Sequence, residues 1–149
     1  MINCKPLVIN GNTVSGYYVD PNGGIITTKQ GSPKYRSPNI SGKSPYPKLE
    51  LTYPDGSKKS HGVHRIVCET YIPFPVPAGV TNKEWEQTPA SVKAVVMRGY
   101  YVNHIDHDKT NYHPSNLEWA TSKENADKYH EYKVHFTEST FRPLDSFIG

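Results

Sequence analysis

The sequence predicts an α+β fold, with N-terminal antiparallel β-hairpins followed by a small strand–loop–strand–helix unit. Three observations predict it. Residues 1–60 contain two turn signals, "DPNGG" and "PDG", each flanked by strand-forming residues. The segment "HRIVCETYIP" places apolar residues at helical spacing. The stretch "YVNHIDHDKTNYHPSNLEWATSKEN", Tyr101 to Asn125, alternates core residues with histidines, asparagines and aspartates.

In "GYYVDPNGGIITTK", Tyr17, Tyr18 and Val19 face Ile25 to Thr28 across a Pro-Asn-Gly turn, which reads as a hairpin. Lys29 to Pro47 is rich in Ser, Pro, Gly and Lys. It reads as a long, basic surface loop. "KLELTYPDGSKKSHGV" is a second hairpin, turning at Pro54 to Gly56. A short buried helix is expected from about Val63 to Tyr71, because Ile66, Val67 and Thr70/Tyr71 share one face and Pro73 ends the run. "FPVPAGV" is an extended linker. In "TNKEWEQTPASVKAVVMRG", Thr81 caps one helical turn, Pro89 opens the next, and Gly99 closes it. Strands are then expected at Tyr100–Ile105 and in "NLEWAT", with Leu117 and Trp119 on one face. Thr121 followed by Glu124 makes a capping box, so a final helix is expected from about Ser122 to Lys133.

The composition narrows the classes. The chain has 149 residues, which suits one domain or a core with an arm. Its formal charge of +3 permits a polyanionic partner without demanding one. No long apolar run predicts a membrane span. "MINCKPLVING" lacks the apolar stretch of a signal peptide. Cys4 and Cys68 form no CxxC pair, so a Cys-rich zinc site is excluded and a reducing compartment is expected. Eleven tyrosines and two tryptophans can build a small, partly polar core.

The combination "HRIVCETYIP … NHID…N…NLEW.T..EN" resembles the HNH nucleases, in particular the homing-endonuclease branch common in phage introns and intergenic regions. The resemblance covers about Gly62 to Tyr132, with extra residues inserted near 77–100. "YYVDPNGGIITTK" resembles the small β-module that often precedes this unit. It implies a ββα-metal (HNH) nuclease core at 61–135, a DNA-contacting β-rich module at 1–60 and a C-terminal tail at 136–149. The implied activity is metal-dependent hydrolysis of phosphodiester bonds in double-stranded DNA. The implied setting is the cytoplasm of a phage-infected bacterial host. The alternative is a non-catalytic DNA-binding protein on the same scaffold.

Such hydrolysis needs a base to deprotonate water, and an imidazole with a pKa near ~6.5 suits neutral pH. His104 is the candidate base. A hard cation, Mg²⁺ or alternatively Mn²⁺, takes oxygen ligands and keeps several waters, so few protein ligands are required. Asn103 and Asn125 are the candidate metal ligands. Asn116 would hold the loop or the His104 ring by hydrogen bonds. Two points stay open. Asn103 is a neutral amide where many relatives have Asp, and adjacent strand residues point to opposite faces. Asp106 could complete the metal site or simply start a turn. His107 and His113 read as loop residues, with a three-histidine Zn²⁺ site including His104 as the minor alternative. His64 and Arg65 open the short helix without an assigned catalytic role.

Phosphate contacts are expected from lysine and arginine. The candidates are Lys34, Arg36, Lys43, Lys58 and Lys59 in the N-terminal part, and Lys109, Lys123 and Lys128 around the site. A β-ribbon can enter a major groove. Homing enzymes of this type often carry a helical DNA-binding region after the nuclease unit, whereas here "VHFTESTFRPLDSFIG" follows. A short recognition site, action as a homodimer, or only weak selectivity is therefore expected.

Overall fold

The computed structural model describes residues 3–40, 42, 44–121 and 123. The α+β reading holds: hairpins come first, then helices and a last strand pair. Strands β1 (Lys5–Ile9), β2 (Asn12–Val19), β3 (Ile25–Thr27) and β4 (Lys34–Arg36) form an antiparallel sheet in sequential order. The expected pairing of Tyr17–Val19 with Ile25–Thr27 is present. β1 was not anticipated. Its signal is the Asn10-Gly11 turn, in which both residues adopt positive φ (54° and 79°), as a tight hairpin requires.

The reading of Lys29 to Pro47 as one long loop needs correction. Lys34 to Arg36 pairs with β3, and Asn39 bridges to Lys48. The Tyr35 hydroxyl donates to Asp20 Oδ2 at 2.7 Å, pinning β4 to the β2–β3 turn. The strand was masked because only three residues carry it, between Pro- and Gly-rich flanks.

β5 (Lys48–Thr52) and β6 (Lys58–Gly62) form the second expected hairpin. Leu49 and Leu51 are buried while Lys48 and Glu50 are exposed, the period-two pattern of a strand over a core. β6 runs into helix α1 (Val63–Tyr71), whose bounds match expectation. Val63, Ile66, Val67 and Cys68 line its buried face. Burial pushes the Cys68 thiol up to about 12, so it packs as an inert apolar group.

α1 is the element both ends of the chain share. Thr70 Oγ1 accepts the Val8 amide, and the Glu69 carboxylate accepts the amides of Asn10 and Gly11 at the β1–β2 turn. From the other side Arg65 donates to the carbonyls of Tyr100 (2.8 Å) and Met97 (3.1 Å) and lies over the Trp119 ring. One core cluster therefore joins Leu7, Val14 and Tyr17 to Ile66, Leu117 and Trp119.

Helices α2 (Asn82–Gln87) and α3 (Ala90–Arg98) fill the inserted region. The Thr81–Glu84 capping box opens α2, Pro89 precedes α3, and Gly99 follows it, as the sequence indicates. Neither helix buries a residue fully. Trp85 stacks on Phe74, which also packs edge-on against Tyr100 and Trp119. β7 (Tyr100–His104) and β8 (Leu117–Thr121) form the last antiparallel pair. The expected final helix, Ser122 to Lys133, lies outside the described residues apart from Lys123, as does the tail 136–149. No helix among the described residues is long and apolar enough to cross a membrane.

Candidate active site

β7 delivers His104 at its last position. The ladder runs without a break from Tyr100↔Thr121 to His104↔Leu117. His104 therefore shares the core-facing side with Leu117 and is only 5% exposed. Its Nε2 atom is buried with no hydrogen-bond partner among the described residues. Two rings lie against it: His64, with centroids 5.4 Å apart, and Tyr46, at 5.7 Å. Tyr46 and His64 also touch, at 4.6 Å, so the three rings form a closed triangle. Burial lowers the His104 pKa, opposed by the carboxylates of Asp106 and Asp108 and assisted by Lys109. His64 is pushed down to about 4 by burial, then by His104 and Arg65. Both imidazoles are thus neutral at neutral pH, the state in which a ring nitrogen can accept a proton.

The loop after β7 is held by its own polar side chains. Asn116 Oδ1 accepts the Asp106 amide, while its Nδ2 donates to Asp106 Oδ1 and to the Asn111 carbonyl. Asp106 Oδ1 also accepts the Asp108 amide, and Oδ2 accepts Asn111 Nδ2. These bonds, the one from Asn111 foremost, hold the Asp106 carboxyl below the usual range. Asp106 therefore acts here as the turn residue. Asn116, 7% exposed, braces the loop rather than the His104 ring. His107 adopts positive φ (65°) as the chain turns, its amide donating to the His104 carbonyl.

Asn103 and His104 do not share a face. The regular ladder through both puts them on opposite sides of the strand. Asn103 instead meets its cross-strand partner Glu118, with Nδ2 donating to Oε1 at 2.8 Å. That bond engages the amide nitrogen and not the amide oxygen. Oxygen donors of this kind match a hard divalent cation. Asn125 lies outside the described residues.

His113 caps the short 3₁₀ turn Pro114–Asn116. Its Nδ1 accepts the Ser115 amide, so Nε2 carries the proton and faces Asn22 Oδ1 at 3.3 Å. Both nitrogens are engaged, which removes the support for a three-histidine site. Among the described residues no group of three or more His, Cys, Asp or Glu side chains could hold a metal ion.

Of the basic candidates, Lys109 is brought to the ring triangle, its Nζ 5.5 Å from the Tyr46 centroid. Lys34 is exposed on edge strand β4, Lys58 and Lys59 are exposed on β6, and Lys123 is exposed. Arg36 is half-buried and reaches the Glu50 carbonyl. Lys43 and Lys128 lie outside the described residues. Two neighbours of the site, Tyr46 and Glu118, escaped the sequence reading. His64 was named without a catalytic role and has a local signal in the "HR" pair. Tyr46 sat in a Pro-rich stretch without one, and Glu118 is tied to Asn103 only by strand register.

Comparison with known proteins bears on this segment. Residues 61–127 match the model of a family described as HNH endonuclease, as the resemblance implied. A solved structure titled "DNA binding and cleavage by the HNH homing endonuclease I-HmuI" is similar in fold, with a TM-score of 0.56 and 23% sequence identity. The match covers 79% of this chain and 53% of that one, so this chain spans about half the length of that structure. No curated protein matches.

Proposed function

We propose, from the HNH endonuclease match over residues 61–127, that the protein is a metal-dependent endonuclease of the phage homing type, hydrolysing phosphodiester bonds in double-stranded DNA. The observation that carries this reading is the HNH endonuclease match, within which β7 ends on His104, an imidazole whose pKa burial lowers. In the proposed reaction His104 takes a proton from the attacking water. Positioned proton transfer of this kind is worth ~10²–10⁴-fold. Asn116, by bracing Asp106 and Asn111, keeps the loop beside His104 in one shape. Asn125 would hold the cation, Mg²⁺ or Mn²⁺, while Asn103 pairs with Glu118 on the other side of β7. The cation, when bound, stabilises charge on the phosphate and on the leaving oxygen.

In this reading residues 1–60 contact DNA, with exposed Lys34, Lys58 and Lys59 on strands that a groove can admit. Lys109 approaches the phosphate next to the base. The protein acts in the cytoplasm of a phage-infected host. The test is incubation with supercoiled plasmid in Mg²⁺, Mn²⁺ or EDTA, for wild type, His104→Ala and Asn125→Ala. Metal-dependent nicking that both substitutions abolish is expected. Full cutting by His104→Ala would end its assignment as base. Salt-sensitive DNA binding with no cutting under any divalent ion would favour the non-catalytic DNA-binding reading.

A further inference from the structure

A functional imidazole is ordinarily aimed by a hydrogen bond to its second nitrogen, from a carboxylate or carbonyl. Among the described residues His104 Nε2 has no such bond. The polar groups nearest in sequence, Asp106, Asn111 and Asn116, are bonded to one another. What meets the ring is the packing of two others, His64 and Tyr46.

These two rings are held as one unit by the backbone. The Val63 amide donates to the Pro47 carbonyl at 3.0 Å, fastening the residue beside His64 to the residue beside Tyr46. Pro47 and Val63 are both fully buried, so this strut stands on the core and is independent of the loop after β7. Gly62 makes room for the arrangement. A Cβ there would come within 2.6 Å of His64 Cε1, so the ring can fold back over the helix start only because residue 62 has no side chain. Lys109 approaches the Tyr46 ring.

We infer that His64 and Tyr46 are positioning residues for the nuclease reaction: their rings, strutted by the Pro47–Val63 bond, set the plane of the His104 imidazole and so the direction of its proton-accepting nitrogen. The inference rests on the reading of His104 as base. It gives the "HR" pair a division of labour. Arg65 ties the root of β7 to α1, and His64 orients the residue at the tip of β7.

The experiment uses the full chain and four variants: His64→Ala, His64→Phe, Tyr46→Ala and Tyr46→Phe. Two quantities are read. One is the split of plasmid nicking into kcat and KM with Mg²⁺. The other is the His104 Cε1–H resonance in ¹³C-histidine-labelled protein, which reports the ring's surroundings directly. Both alanine variants are expected to lower kcat about 10²-fold at little-changed KM, the scale of a small misplacement of a reacting group. They are also expected to move the His104 resonance. The phenylalanine variants, which keep a ring, recover most of both. Unaltered kcat and resonance in His64→Ala would overturn the inference. So would a His64→Phe variant as impaired as His64→Ala, since the nitrogens and not the ring would then matter. If wild type nicks no DNA, the nuclease reading fails and the resonance alone decides. Movement in the alanine variants with recovery in the phenylalanine variants upholds ring positioning, and an unmoved resonance overturns it.

Discussion

The loop from Asp106 to Asn116 and the ring triangle beside it treat their polar atoms in opposite ways. In the loop, Asp106, Asn111 and Asn116 bond one another and the intervening backbone. In the triangle, His64 Nδ1 and His104 Nε2 are buried without partners. Buried polar atoms are nearly always paired, and leaving one unpaired costs about 1–3 kcal/mol. The loop is therefore built for shape. The ring triangle instead carries buried nitrogens that no hydrogen bond among the described residues satisfies.

The sharpest way to break this comparison is to remove the unpaired group. His104→Ala should lower kcat for nicking by ~10²–10⁴-fold, with the urea midpoint much less affected. Equal loss of activity and of stability would make His104 another shape-holding residue.

Acid probes the same contrast through stability. The folded pKa of His64, about 4, lies below its ordinary 6.5. Above pH 6.5 neither folded nor unfolded chain binds the proton. Between the two values the unfolded chain binds it more. The stabilisation is thus complete above 6.5 and is lost as pH falls through 4. At ~1.4 kcal/mol per unit, the loss is about 3 kcal/mol. His104 and His61, also lowered chiefly by burial, add in the same direction. Urea denaturation from pH 7 to pH 4 measures this, and His64→Phe should flatten the profile.

Asn116→Ala attacks the opposite region. It strands the Asp106 amide and one carboxylate contact, so a stability loss of about 1–3 kcal/mol is expected. The accompanying loss of kcat should be smaller than for His104→Ala. The smallest effect is expected from Lys109→Ala. It should weaken DNA binding across all sequences and reduce the slope of log K against log salt by about 0.9, read by fluorescence anisotropy. An unchanged slope would remove Lys109 from the DNA contacts.

How much of this was legible depended on how local each cause is. α1 could be bounded from the sequence because its apolar spacing and Pro73 are local signals. The same holds for the Thr81 cap and the Asp20–Gly24 turn. Strand β4 was hidden because three residues among prolines and glycines acquire strand geometry only from the partner β3. At the site, the candidacy of His104, and of Asn116 as a brace of the loop or of the ring, followed from motif spacing. Tyr46 did not, since it reaches His104 across 58 positions of sequence by way of the Pro47–Val63 strut. Glu118 was equally hidden. Its pairing with Asn103 depends on a register set after a loop whose length alone does not reveal it.

The double use of helix α1 has a consequence for anyone who would recombine this protein. Glu69 receives the β1–β2 turn, while Arg65, four residues earlier, grips the root of β7 and bonds Glu69 itself at 3.2 Å. A chimera joined at residue 60 would bring a foreign β-module to a helix whose carboxylate expects two particular amides and whose apolar face expects Leu7 and Ile9. Grafts that keep the native β1–β2 turn and exchange only the outer strands should express as folded protein. Grafts that replace the whole of residues 1–60 should not, unless Glu69 and the face around Ile66 are redesigned with them.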